Sequence, residues 1–169
     1  MNMVIENRAV VLREDDISTD QIWPGRYVNI SDPEEMAEHV LEGADRTLRE
    51  RFRSVGQILV TGTNFGCGSS REQAVISLIM AGVKAVVAGS AGRIWYRNAV
   101  NRGLPVLICP GAVDRVGEGD SIAVDLAAGT LTLAGGIVMR GEPVGKFVLN
   151  ILKSGGIKPL MLKRHEQRE

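Results

Sequence analysis

"QILVTGTNFGCGSSREQAVISLIMAGVKAVVAGSAGRIWYRNAVNRGLPVLICP", residues 57–110, alternates short β-branched runs with longer stretches that end on glycine. "QILVTG" (57–62), "KAVVAGS" (84–90) and "PVLICP" (105–110) have the length and composition of buried strands, whereas "SSREQAVISLIMAG" (69–82) and "GRIWYRNAVNRG" (92–103) have those of helices. Such alternation argues for parallel strands joined by right-handed helical crossovers, and the strand ends then converge on one edge. At the first strand-to-helix junction, "NFGCGSSREQ" (64–73) places Ser69, Ser70 and Arg71 directly after two glycines. A helix N-terminus carries unpaired N–H groups and the positive end of the macrodipole, so this junction suits an anion.

Working outward, "VIENRAVVL" (4–12) reads as a first strand, followed by a long polar loop, "REDDISTDQIWPGRY" (13–27). Long ordered loops are disproportionately functional, which makes this one a second candidate site. "SDPEEMAEHVLEG" (31–43) reads as a helix, with Ser31 or Asp32 as N-cap, Pro33 in the first turn and Gly43 as its stop. "DRTLRERF" (45–52) reads as another short helix. After Pro110, "DSIAVDLAAGTLTLAGGIVM" (120–139) turns to short alternating strands around Gly129 and the pair Gly135 and Gly136, a β-meander. "EPVGKFVLNILKSGG" (142–156) closes as a helix, and the tail from about residue 160 is expected to be disordered. The expected architecture is α/β, one domain over 1–169 with a parallel α/β centre and an antiparallel β extension.

Bulk composition narrows the function. Twenty basic and 20 acidic residues cancel, so no global field draws the chain to nucleic acid or an anionic membrane. No apolar run approaches the roughly 20 residues that cross a bilayer. Two cysteines, Cys67 and Cys109, are too few for a disulfide framework, which with the lack of an export-like N-terminus points to the cytoplasm.

The glycine-rich junction admits several readings. Gly66 and Gly68 can make a simple turn with Ser69 as N-cap and Glu72 completing a capping box. A phosphate-binding P-loop needs Gly-Lys before Ser or Thr, and the dinucleotide fingerprint needs a third glycine; neither pattern is met. A nucleophile elbow needs glycine where Arg71 stands, and the two histidines, His39 and His165, fall on a helix face and in the tail. What remains is a hydroxyl and a guanidinium beside free N–H groups, a combination suited to a small carboxylate-bearing ligand and to an alkoxide of the serine.

"GCGSSRE", "AGRIWYRNAVNRGLPV" and "DDISTDQIWPGRY", in the chain order loop, glycine turn, helix, resemble the small subunit of the isopropylmalate isomerase (3-isopropylmalate dehydratase) family, which corresponds to the swivelling fourth domain of aconitase. The likeness runs from about residue 4 to 153 and implies an aconitase-type swivelling β/β/α domain. It also implies a hydro-lyase that isomerises 2- and 3-isopropylmalate by dehydration and rehydration in leucine biosynthesis. By this resemblance Ser69 is the catalytic base and Arg71 the substrate-binding arginine, with Ser70 beside them. Asp20 supports catalytic groups from the partner, while Asn98 and Arg93 lie near substrate. Gln73 stands where the family usually has His, and Ala91 where it usually has Phe. The family's 4Fe–4S cluster needs three or four thiolates; with only Cys67 and Cys109, this chain is expected to bind no cofactor and to meet the cluster on a separate large subunit.

The loop Tyr27, Val28, Asn29 and Ile30 occupies the family's specificity position, where relatives acting on tricarboxylates carry an arginine. Val28 and Ile30 suit an alkyl group, and Arg26 is the one neighbouring cation that can turn inward. The runner-up substrates are other malate derivatives (those of homoaconitase, citraconate hydratase or dimethylmalate hydratase), and the competitor from another class is a non-catalytic, anion-binding regulatory module. Cys67 reads as a small packing residue whose oxidation blocks the site, Cys109 as core, His39 as solvated or a partner contact, and Trp23 and Trp95 as either cleft lining or buried anchors.

Overall fold

A computed structural model describes residues 3–166. Its centre is strand β1 (Val4–Leu12), which faces two different sheets' worth of neighbours along its length. The second half pairs in parallel with β2 (Ile58–Thr61), Ala9 opposite Ile58, and the first half pairs antiparallel with β5 (Ser121–Asp125), Val4 opposite Asp125. With β3 (Ala85–Ala88), β4 (Val106–Ile108), β6 (Thr130–Thr132) and β7 (Val138–Arg140), the order is β4-β3-β2-β1-β5-β6-β7. Pairing is parallel from β1 to β4 and antiparallel from β1 through β5 and β6 to β7. The expected parallel centre and antiparallel extension are both present, fused into one continuous sheet.

Burial follows this division. Ala9–Leu12 and all of β2 and β3 are buried on both faces, as a parallel sheet covered by helices requires, whereas Val4–Arg8 alternates. Val10, Leu12, Leu59, Val86 and Ala88 point into one core with Phe52, Leu78 and Trp95; Ala9, Val11, Ile58, Val60 and Val87 point into the other with Leu107, Val124, Leu149 and Leu152. Each fully buried side chain of this size contributes roughly 1.5–3 kcal/mol of transfer free energy.

The first core is roofed by α2 (Pro33–Glu38), α3 (Leu48–Ser54), α4 (Gln73–Met80) and α5 (Arg93–Arg102). Asp32 caps α2, its Oδ1 accepting the Glu35 N–H at 3.0 Å, and Gly103 ends α5 at φ 82°. The second core is closed by α6 (Ala112–Arg115), which the sequence did not announce, and α7 (Lys146–Lys153). α3 is tied to the sheet by Arg51, which grips Glu118 with two bonds of 2.9 and 2.8 Å and donates to Asp45 (2.8 Å) and to the Val11 carbonyl (2.7 Å). Burial pushes the Glu118 carboxyl up, but Arg51 and the Val11 N–H (2.7 Å) outweigh it and hold it below the usual carboxylate range.

Several expectations need correction. The loop 13–27 is not irregular throughout: it contains the one-turn helix α1 (Thr19–Ile22) and a 3-10 turn at Gly25–Tyr27. The helix expected over 31–43 stops at Glu38, because the chain then turns so that the Leu41 and Gly43 N–H groups can cap the Ile22 and Gln21 carbonyls of α1. The tail expected to be disordered from about residue 160 instead forms α8 (Ile157–Glu166), whose Leu160 packs with Val100 of α5 and Ile151 of α7. Residues 167–169 lie outside the described residues. No helix among the described residues is long and apolar enough to cross a membrane.

Candidate functional site

The glycine-rich junction and the polar loop meet. The Gly66 N–H donates to the Ile17 carbonyl at 2.7 Å and the Thr19 N–H to the Cys67 carbonyl at 2.8 Å, so residues 17–19 and 66–67 form a miniature parallel pairing. Gly66 has φ 75°, and a Cβ built there would lie 2.2 Å from the Trp95 ring, so only glycine lets this turn lie against α5. Trp95 itself is buried, edge-on to Phe65 at 4.9 Å, and Trp23 is buried too; both are anchors rather than cleft lining.

α1 follows directly from local chemistry. Ser18 Oγ accepts the Gln21 N–H at 3.2 Å while Gln21 Oε1 accepts the Ser18 N–H at 2.9 Å, a capping box around a helix of four residues. Its first two residues grasp the glycine-rich loop. Thr19, 1% exposed, sets Oγ1 2.8 Å from Ser69 Oγ and accepts the Ser69 backbone N–H at 3.1 Å. Asp20 accepts from Arg71 Nη1, which also reaches toward the Trp23 carbonyl at 3.5 Å. Gly25 packs beneath the same guanidinium, where an added Cβ would lie 3.6 Å from Arg71 Nη2. Thus two adjacent residues of one helical turn hold Ser69 and Arg71.

The expected capping role of Ser69 is not realised. α4 starts at Gln73 with Glu72 as an N-cap that makes no side-chain capping bond, its carboxylate accepting instead from Arg102, while Ser69 is drawn back to Thr19. The backbone N–H groups of Ser70 through Ala74 consequently have no protein acceptor among the described residues. Ser69 and Ser70 are exposed, Arg71 is half-buried, and Asp20 is exposed. An ion pair in that setting contributes on the order of 0–1 kcal/mol, so a ligand carboxylate can compete for Arg71 at small cost.

Asn98 joins the cluster from α5, its Nδ2 donating to the Ser70 carbonyl at 3.3 Å. Arg93, the first residue of α5, is exposed and lines a groove of about 510 Å³ with Gly66, Cys67 and Gly68 of the glycine-rich loop, and a second of about 610 Å³ with Tyr96 and Phe147. Neither groove is lined by Ser69, which is exposed, or by Arg71, which is half-buried beside Asp20. Cys67, half-buried, donates weakly to the Asp16 carbonyl at 3.5 Å; Cys109 is buried in the second core, where burial pushes its thiol up.

The loop 27–30 divides between core and solvent. Tyr27 stacks on His39 at 3.9 Å and Ile30 packs against the first core, while Val28 and Asn29 are exposed. His39, the C-cap of α2, is partly exposed and bonds Glu42 at 3.0 Å. Glu42 also accepts from Arg26 Nη2 at 3.1 Å, and Arg26 lies over the Tyr27 ring at 4.7 Å. Arg26 is therefore directed to Glu42 and Tyr27.

Thr19 is the residue that sequence reasoning missed. It lies inside "STDQI", but its link to Ser69 spans fifty positions of sequence and leaves no local mark.

Comparison with known proteins bears on this geometry. The aconitase C-terminal domain matches residues 16–110, from the polar loop to just past β4. The 3-isopropylmalate dehydratase small subunit 1 of Methanopyrus kandleri is 48% identical over 169 residues, covering 99% of this chain and 98% of that one. The isopropylmalate/citramalate isomerase small subunit of Methanocaldococcus jannaschii is 43% identical over 149 residues, 88% of each. The crystal structure of a 3-isopropylmalate dehydratase from the latter organism superposes with a TM-score of 0.87 at 37% identity, covering 98% of both chains.

Proposed function

Since the chain belongs to the family of 3-isopropylmalate dehydratase small subunits, within the aconitase family, we propose that it completes the active site of a large subunit and isomerises 2- and 3-isopropylmalate by dehydration and rehydration. The observation that carries this is the pairing of Thr19 with Ser69 and Asp20 with Arg71 on an open face. Ser69 Oγ takes the proton from the substrate carbon, and the unpaired N–H groups that follow it offset the negative charge this hydroxyl must carry beforehand. Arg71 exchanges Asp20 for a substrate carboxylate, whose two oxygens match its planar fork. Asn98 holds the turn that carries Ser70.

An iron–sulfur cluster is assigned to the large subunit. The residues present here do not fit one, since two cysteines fall short of three ligands and Cys109 is enclosed in the core. The chain acts in the cytoplasm on a small dicarboxylate, apart from nucleic acid and membrane. Among substrates, the alkyl surface of Val28 (47% exposed) and the engagement of Arg26 by Glu42 favour isopropylmalate over a tricarboxylate, which would bring an unmatched third charge. The name of the Methanocaldococcus jannaschii relative, which includes citramalate, makes that smaller alkyl-malate the second substrate to assay.

Anaerobic reconstitution with the large subunit tests the reading. The complex should convert isopropylmalate, each chain alone should not, and Ser69→Ala should remove nearly all turnover while the complex still forms. Appreciable turnover by this chain alone, or a Ser69→Ala complex near wild-type activity, would overturn it.

A further inference from the structure

The hydrogens around Thr19 can be counted. Its hydroxyl has one proton to give, and one lone pair is already taken by the Ser69 backbone N–H at 3.1 Å. Thr19 is 1% exposed, so water does not serve it, and the remaining polar partner at bonding distance is Ser69 Oγ at 2.8 Å. Were Ser69 to donate, the Thr19 proton would be buried without an acceptor among the described residues, an arrangement that folded proteins avoid. The proton of Thr19 therefore points at Ser69 Oγ, and the proton of exposed Ser69 points outward.

The geometry points to Thr19 as the positioning residue that keeps a permanent hydrogen-bond donor on Ser69 Oγ, aiming the serine's own proton away from the fold and favouring its alkoxide. β-Branching restricts the threonine side chain, and the Thr19 N–H bond to the Cys67 carbonyl fixes its backbone against the same loop, so the donor is in place before any ligand arrives. Backbone N–H groups can also face Ser69 from the start of α4, but Thr19 is the donor that reaches its oxygen within the chain itself. This deepens the reading of Ser69 as base and rests on it.

The first test is independent of turnover. In the full chain carrying Cys67→Ala and Ser69→Cys, the pH dependence of alkylation by iodoacetamide reports the thiol at this position. Adding Thr19→Val, which keeps shape and removes the donor, should raise the apparent thiol pKa by about one unit, while Thr19→Ser should leave it within about 0.3. An unshifted profile with Thr19→Val overturns the assignment. The second test uses the complex with intact Ser69: Thr19→Val should lower kcat about a hundredfold, leave KM within about threefold and move the pH limb for base deprotonation upward, with Thr19→Ser restoring all three. Loss of kcat with no movement of that limb would mean a structural role and overturn the proposal. Should turnover prove independent of Ser69, both the base and its donor fall; should it depend on Ser69 while alkylation is indifferent to Thr19, the donor alone falls.

Discussion

Replacing Gly66 by alanine tests the contact that seats the glycine-rich loop on α5. Two costs add. A residue with a Cβ at φ 75° costs about 1–2 kcal/mol, and forcing a methyl into a packed core costs about 1–3 kcal/mol. The second cost applies because the new Cβ would lie 2.2 Å from Trp95, whose ring is buried and braced by Phe65. The total is roughly 2–5 kcal/mol, which for a chain of this size lowers Tm by about 4–20 °C. Gly68 supplies the control: it has φ 98°, but its Cβ would meet only Thr19 Oγ1, at 3.5 Å, an ordinary contact. Gly68→Ala should therefore show only the backbone part. Thermal unfolding of the two variants, followed by circular dichroism at fixed pH and protein concentration, isolates the ring clash as their difference. If Gly66→Ala proves no less stable than Gly68→Ala, the Trp95 contact does not seat the loop and the reasoning is refuted.

Arg71→Lys should raise KM for isopropylmalate about tenfold or more with a smaller change in kcat, since an ammonium cannot present the paired donors of a guanidinium; steady-state kinetics of the complex measures this. Acid unfolding should draw on Glu118. Its folded pKa is depressed, so its stabilisation is present above the unfolded value near 4.3 and is lost as pH falls through the folded one; urea midpoints from pH 6 down to 3 should fall less steeply for Glu118→Gln than for wild type. Val28→Arg should shift the ratio of kcat/KM values toward citrate and away from isopropylmalate, whereas an unchanged ratio would assign specificity to the large subunit.

Which parts of this were open to a reader of the chain depends on how local their causes are. The runs Ile58–Thr61, Ala85–Ala88 and Val106–Ile108 carry their own apolar signature, so the parallel centre could be read directly. α1 had its signal too, the Ser-Thr-Asp-Gln box, but four residues give no apolar period to notice. The start of α4 was misplaced because "SSRE" is a competent capping box by itself; the competing bond from Ser69 to Thr19 comes from fifty residues away and wins. The disorder expected of the tail rested on its charged composition, which hid Leu160 and its partners Val100 and Ile151. Within the site, Ser69 and Arg71 stood out at the glycine-rich junction and Asp20 came from motif resemblance; the fold brings the three together. Arg93 came from the resemblance too, and it lines a groove with Gly66, Cys67 and Gly68 of the same loop.

Of the described strands, the central one leaves the ribosome first and is among the last to be satisfied. Its inner half waits for Ile58 and its outer half for Asp125, about 50 and about 120 residues later, so neither flank can form through contacts near in sequence. At typical synthesis rates of about 5–20 residues per second, the outer edge stays unpaired for roughly 6–25 s. A bare apolar strand exposed that long invites pairing with a neighbouring nascent chain. The polar interruptions Glu6, Asn7 and Arg8 fall on the half that waits longest, while the uninterrupted Ala9–Leu12 falls on the half that β2 covers first. The strand thus distributes its charges according to how long each part must travel unaccompanied.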